Sequence, residues 1–301
     1  MTISAKVIKD SISPKGVRLI TLELEYPRII HAELMTHRVF SRNSASSRAI
    51  PVSKVIEMVE QNPAMPVHWG KNQAGMQARE ELDSLNKEAV RGLWLEAAKQ
   101  AVSIAKVMVD CFAHKQIVNR LLEPFQHMKV VLTSTEWNNW DWLRAHSDAD
   151  PTINALANAT IIARNESTPK KLDYGEWHLP YVQTGLSKLD GSQIYYDEFH
   201  NEITLEQAKM ISASACAQLS YRKSDNSLEK AEDIYKKLIE SEPCHASPVE
   251  HIATPAEIND TKLNLFEDGI THRDKDDWLW SGNLRGWIQL RQLIPNNAKY
   301  K

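Results

Sequence analysis

Apolar and polar residues alternate through residues 5–25, and beyond them the apolar positions return mostly at intervals of three or four. In "KVIKDSIS" and "GVRLITLELEYP", Val17, Leu19, Thr21 and Leu24 stand among charged neighbours. This predicts two antiparallel strands joined by the turn Ser13-Pro14-Lys15-Gly16. Pro27 suits the first turn of a helix carrying Ile30, Leu34 and Met35, expected to run into Thr36–Arg38 and end near the serines beyond. Further helices are expected in "SKVIEMVEQN", from about Gln77 to Cys111, across "WNNWDWLRAHS", and over 151–164, 204–219 and 226–241. A last helix is expected in "GNLRGWIQLRQLIP". Pro124 breaks the pattern ahead of a short β-branched run at 130–135, and "LDYGEWHLPYVQTG" and "CHASPVEHIATPAEI" read as irregular. The expected fold is α+β, helix-rich with a small antiparallel sheet, as one domain over 1–301.

Composition narrows the function classes. A formal net charge of -3 gives no global reason to bind nucleic acid or a membrane surface, so a basic cluster must act locally. Three cysteines (Cys111, Cys216 and Cys244) without a C-x-x-C argue against a disulfide framework or a zinc ribbon and suit a reducing cytoplasm. No apolar window is long enough for a membrane span, and the N-terminus lacks a signal-peptide core, so a soluble cytoplasmic protein is expected. None of the ten glycines falls in G-x-G-x-x-G or a P-loop. A nucleotide, if bound, must be held by side chains.

Three segments concentrate reactive groups. "HAELMTHRVFSRNSASSRAIP", residues 31–51, feeds an apolar helix into Thr36, His37, Arg38, Arg42, Asn43, Ser46 and Arg48. Such a run is either a solvated loop or a phosphate pocket, in which Arg48 supplies a guanidinium fork and Ser46 a hydroxyl. In "WNNWDWLRAH", Arg144 sits on the Trp137/Trp140 side of a helix. It needs either a planar or anionic ligand, or a surface pairing with Asp141 or Asp148. In "CHASPVEHI", Ser247 and Glu250 have capping-box spacing, flanked by His245 and His251. That spacing fails the i, i+4 rule for a zinc helix, so no metal is expected.

Taken together, these residues resemble the flavin-dependent thymidylate synthases. "THRVFSRNSASSR" is similar to the family's RHRxxSxNExSxRY signature, with His37, Arg38, Ser41, Asn43, Ser46 and Arg48 on the pattern. "NRLLEP" resembles the segment with an Arg, here Arg120, four residues before a Pro, and "NWDWLRAHSDA" the segment ending in Leu-Arg. "CHASPVEH" resembles H-E-T-P-x-E-H, and "SACAQLSYR" the segment that normally precedes it. Residues 52–115 and 165–210 are not covered. Thr36 stands where the signature has Arg, Ser44 where it has Glu, and Glu33 where Gln is usual. The motif order is changed, so the chain looks circularly permuted, and "RGWIQLRQ" faintly echoes the helix entering the signature, with Arg291 beside it.

The resemblance implies reductive methylation of dUMP to dTMP, with carbon from methylenetetrahydrofolate and hydride from reduced FAD regenerated by NADPH. Arg144 would be catalytic, lying against the pyrimidine. Ser46, Arg48 and Glu33 would meet the substrate, with Arg120 closing from a neighbouring subunit. His37, Arg38, Asn43, Asn139, His245, Ser247 and Glu250 would hold FAD, in a homotetramer with shared sites. The changes at Thr36, Ser44 and Glu33 motivate two alternatives: a related C5 transfer such as hydroxymethylation, or a non-catalytic nucleotide-binding homologue.

Overall fold

The computed structural model describes residues 3–220, 225–257 and 267–299. Tyr221 and Arg222 of the "SACAQLSYR" segment lie outside the described residues. The alternating N-terminal segments form β1 (Ser4–Ile12) and β2 (Arg18–Pro27), paired antiparallel. With β3 (Ser41–Ser44), β4 (His127–Ser134) and β5 (Lys170–Lys171) they build a five-stranded sheet in the order β3-β4-β2-β1-β5. Only the β1–β5 pairing is parallel.

Side chains two apart share a sheet face, and both faces are covered here. Ile20, Leu22, Leu24, Tyr26, Val130 and Leu132 pack with Trp137, Trp140, Ile153 and Leu156, residues in or beside α5 (Asn138–Arg144) and α6 (Pro151–Glu166). Thr21 and Thr133, of the opposite phase, lie fully buried on the other face against His178 and His251. The start of α6 is set locally. Asp150 accepts from the Thr152 and Ile153 amides, and Pro151 occupies the first turn.

A second core joins α2 (Val52–Gln61), α3 (Ser84–Asp110) and α4 (Lys115–Leu121) through Val55, Val59, Ala98, Val102 and Val118. A third joins α7 (Leu205–Ala217) and α8 (Leu228–Leu238) to Trp177, Leu179 and Tyr195. Among the described residues no helix is long and apolar enough to cross a membrane.

Several elements depart from the sequence expectation. The helix after Pro27 is a 3-10 turn (Arg28–Ile30) and a short α1 (His31–Leu34); it stops before His37 and Arg38. Thr36 Oγ1 donates to the Glu33 carbonyl at 2.7 Å, and Arg42 Nη1 donates to the Met35 and His37 carbonyls at 3.0 and 3.1 Å. These side chains satisfy carbonyls at the helix end and turn the chain into β3. Arg48 lies in the turn that follows β3. The long α3 starts at Ser84, not Gln77, because Asp83 caps it on the Asn86 amide and residues 69–82 fold back through Leu82 N–Trp69 O and a Gly70–Glu81 bridge.

The irregular stretch after α6 contains a three-stranded antiparallel sheet of β6 (Gln183–Leu186), β7 (Gln193–Tyr196) and β8 (Glu202–Ile203). Its mixed polar content gave no clean alternation. The expected terminal helix is mostly strand. Gly286 has φ +69 with Val17 Cγ2 3.1 Å from where a Cβ would sit, a left-handed backbone that breaks a helix. β9 (Ala253–Pro255) precedes the hairpin strands β10 (His272–Arg273), β11 (Leu279–Ser281) and β12 (Leu284–Arg285). β13 (Trp287–Gln289) then pairs antiparallel with β9, leaving a short α9 (Leu290–Leu293).

Candidate functional site

Arg144 ends α5, where a cation suits the negative pole of the helix. The helix is pinned to α6 by Trp140 Nε1–Thr160 Oγ1 at 2.9 Å and by Arg164, which pairs with Asp141 at 2.5 Å and lies 4.4 Å over the Trp137 ring. Asp141 and Asp148 are thus not partners of Arg144; Asp148 pairs with Arg79. The turn after α1 supplies the partners instead. Arg144 Nε donates to His37 Nε2 at 3.0 Å, Nη1 to Glu33 Oε2 at 2.9 Å, and Nη2 to Thr36 Oγ1 at 3.1 Å.

Each of the three guanidinium nitrogens is therefore held, fixing its plane. Each Nη carries two hydrogens, so one N–H on Nη1 and one on Nη2 have no acceptor among the described residues. The His37 ring is buried, stacked on Phe40 at 5.8 Å and edge-on to Trp140 at 4.9 Å. Burial, then the nearby Arg144 and Arg42 cations, depress its pKa to about 4. It is neutral at pH 7, and because Nε2 accepts from Arg144, the proton sits on Nδ1. Burial raises the Glu33 pKa, with Asp150 adding to the effect and Arg144 opposing it.

Glu33 and Arg144 line a cavity of about 740 Å³, walled also by His68, Gly70, Arg79 and Asp150. A Cβ on Gly70 would come 2.3 Å from Ala78 Cβ, so the wall's close approach requires glycine there. Nothing local in the sequence marks this wall, which comes from the fold-back of 69–82 and the start of α6. Both arginines of the wall are already paired with carboxylates, so the cavity offers little free positive charge.

Asn43, His245 and Ser247 meet elsewhere, in a cleft of about 390 Å³ with Arg42, Ser44 and Leu238. Asn43 Nδ2 donates to the Cys216 carbonyl at 3.2 Å. Ser247–His251 form a 3-10 helix in which the Ser247 side chain caps nothing, so the expected capping box is not made. Glu250 pairs with Arg291 instead, and its carbonyl accepts from the buried Gln289, which also reaches Ser41 at 3.2 Å. The echo segment is thereby packed against the first motif.

Ser46 and Arg48 lie at the opposite end of β3. Their loop is stapled by Asn119, whose Nδ2 donates to the Ser47 and Ile50 carbonyls at 2.6 and 2.9 Å, and by Ser47 Oγ–Glu123 at 3.1 Å. Arg120 follows Asn119 on α4. Arg38, Arg48 and Arg120 are exposed and form no ion pair with a described residue. Asn139 is exposed on α5. The structure thus brings together Glu33, His37 and Arg144, and separately Asn43, His245 and Ser247. Ser46 and Arg48 lie in the loop after β3, and Arg120 follows the Asn119 that staples that loop.

The residues expected to hold FAD do not make one site in a single chain. His37 is buried and committed to Arg144, Glu250 to Arg291, and Arg38 and Asn139 do not line the Asn43/His245/Ser247 cleft. Among the described residues no group of three or more His, Cys, Asp or Glu is placed to hold a metal ion.

A buried chain of hydrogen bonds lies on the sheet face that carries Thr21 and Thr133. Ser11 Oγ bonds His178 Nδ1 at 2.9 Å, and His178 Nε2 bonds Thr21 Oγ1 at 2.9 Å. Thr21 bonds Thr133 at 2.7 Å, and Thr133 bonds His251 Nδ1 at 2.8 Å. His251 Nε2 is buried without a partner among the described residues. Burial lowers the pKa of both rings, that of His251 to about 3.

No protein-family model matches the chain, and no curated protein does. Among solved structures, a UMP/dUMP methylase, PolB from Streptomyces cacaoi bound with 5-Br UMP, is similar over 55% of this chain and 89% of its own, at 14% identity and a TM-score of 0.47. The same enzyme with 5-Br dUMP gives 55%, 90%, 14% and 0.45. Thymidylate Synthase X from Helicobacter pylori with FAD and dUMP is similar over 48% of this chain and 67% of its own, at 16% identity and 0.34. These are partial backbone likenesses.

Proposed function

We propose that the chain is an enzyme of pyrimidine nucleoside monophosphates that transfers a one-carbon group to C5 of the base. The carrying observation is Arg144, whose plane is fixed by Glu33, Thr36 and His37 while two N–H donors remain beside the 740 Å³ cavity. Addition to a pyrimidine ring builds negative charge on a carbonyl oxygen and ring nitrogen, and pre-oriented donors stabilise such charge without reorganising. His37 contributes by staying neutral and accepting from Nε, which orients the guanidinium without adding a competing cation. Glu33 balances the Arg144 charge and fixes the fork.

The reaction implied by the sequence resemblance is reductive methylation of dUMP to dTMP with FAD, methylenetetrahydrofolate and NADPH. FAD would supply the redox chemistry, and Asn43, His245 and Ser247 are the residues of one chain that converge on a cleft suited to part of it. Ser46, Arg48 and Arg120 would meet the phosphate, as the resemblance implies. The homotetramer with sites shared between copies, which the resemblance implies, is part of the same proposal. C5 hydroxymethylation is the second reading, favoured by Thr36 and Glu33 themselves contacting Arg144. Equilibrium binding of nucleoside monophosphates to wild-type protein and Arg144→Ala tests the proposal: pyrimidine binding should depend on Arg144, and binding indifferent to Arg144 rejects it.

A further inference from the structure

We infer that Lys9, Lys170 and Thr184 form a binding site for a phosphate-type oxyanion, separate from the Arg144 cavity, which none of the three lines. The site is independent of the pyrimidine reading. Lys170 and Thr184 belong to the 165–210 stretch that the family resemblance leaves uncovered.

The local fold puts the two lysines together. In β1 the register slips between Val7 and Lys9, so that Val7 pairs with Leu22 while Lys9 pairs with Thr21. Without that bulge Lys9 would share the face of Val7, which packs on the apolar core beside α5 and α6. The extra residue turns Lys9 to the Thr21 face instead. The parallel pairing of Ser11 with Lys170 sets the second lysine alongside, and β6 brings up Thr184.

Lys9 Nζ donates to the Val182 carbonyl at 3.0 Å and to Thr184 Oγ1 at 3.3 Å, and Lys170 Nζ donates to the same Thr184 oxygen at 3.4 Å. Two ammonium groups thus converge on one hydroxyl. Neither is ion-paired among the described residues, where the lysine pairs involve other lysines. Burial, then the Lys170 charge, lower the Lys9 pKa to about 8. His178 is near enough for the Lys9 cation to add to the depression that burial causes, and as a neutral ring it supplies no negative charge.

Thr184 Oγ1 accepts from both lysines, so its own proton points elsewhere. Lys9 keeps one N–H and Lys170 two, and the three side chains therefore present only donors. Lysines bind phosphate as point charges, and a phosphate monoester carries about −1.5 to −2 at pH 7, which balances the pair.

Site-resolved acetylation tests this. The full-length protein is labelled at about pH 8 with trace N-hydroxysuccinimide acetate. Mass spectrometry then reads each lysine in inorganic phosphate, glycerol 3-phosphate or chloride at equal ionic strength. Phosphate at roughly ten times its Kd should slow labelling of Lys9 and Lys170 about tenfold against chloride. The exposed Lys99 and Lys188 should change little. Lys9→Met should abolish the protection of Lys170, and Lys170→Met, on the edge strand, that of Lys9. Arg48→Ala should leave both protected. Protection by glycerol 3-phosphate as well assigns the site to phosphate esters, and protection by inorganic phosphate alone assigns it to the free ion. If phosphate and chloride give equal labelling of the two lysines, or if protection survives in either Met variant that keeps its thermal transition, the assignment is overturned and the pyrimidine reading stands.

Discussion

Glu33 and Arg144, 111 positions apart in the chain, meet at 2.9 Å. The pair links the turn after α1 to the end of α5 and sets the plane of the guanidinium that faces the large cavity. Arg144→Ala should lower turnover about a hundredfold or more, the scale on which a lost charge-stabilising donor acts, while the fold persists because Arg144 packs outside the sheet core. Arg144→Lys should not restore it, since an ammonium cannot bond three fixed acceptors in one plane. Steady-state rates together with near-UV circular dichroism decide this; full activity in either variant contradicts the assigned role.

Asn119 is fully buried and holds two carbonyls of the Ser46–Ile50 loop. Asn119→Ala leaves those carbonyls unpaired and should cost about 1–3 kcal/mol of stability. It should also weaken nucleotide binding more than it weakens binding of the free nucleoside, because the loop carries Ser46 and Arg48, the residues proposed to meet the phosphate. Urea denaturation and paired titrations measure both effects. Ser46→Ala, removing one neutral hydroxyl, should weaken nucleotide binding by only about 0.5–1.5 kcal/mol.

His178 and His251 are buried and neutral, with folded pKa values depressed by burial, that of His251 to about 3. The unfolded chain takes up these protons near the ordinary histidine value, so below it the unfolded state binds more protons than the folded one. Their contribution to stability should therefore be level above about pH 6.5 and fall as pH drops toward 3, at about 1.4 kcal/mol per pH unit for each histidine. Chemical denaturation at pH 7 and pH 5 checks this, and His251→Asn should reduce the slope. Equal stability at the two values would show that the rings titrate normally.

Asn43, His245 and Ser247 share a cleft and should contribute to flavin binding in the assembled protein. Protein reconstituted with FAD should keep flavin absorbance after desalting, and His245→Ala should lower the fraction retained. A protein that stays colourless after reconstitution removes flavin from the proposed chemistry.

Much of this arrangement was legible in the sequence, and the reasons differ by element. β1 and β2 were readable because alternation encodes a sheet directly. α5 was readable because its tryptophans return at helical spacing, and α6 was expected over 151–164. Arg144, His37 and Glu33 stood out individually, yet their mutual contact depends on the short α1, which Thr36 and Arg42 end through side-chain bonds invisible to periodicity. The cavity wall was not readable at all. It depends on the fold-back of 69–82, on a close approach at Gly70 and on the cap at Asp83, none of which repeats along the chain. The terminal segment misled because "RGWIQLRQ" has helical spacing while Gly286 and pairing with β9 make it a strand.

Anaerobic incubation with FAD, NADPH, methylenetetrahydrofolate and either dCMP or dUMP, followed by mass spectrometry of the nucleotide, bears most directly on the proposed activity. A methyl or hydroxymethyl group gained at C5, and lost in Arg144→Ala, is the predicted result. A nucleotide recovered unchanged with both substrates, from protein that binds them and retains flavin, would contradict it.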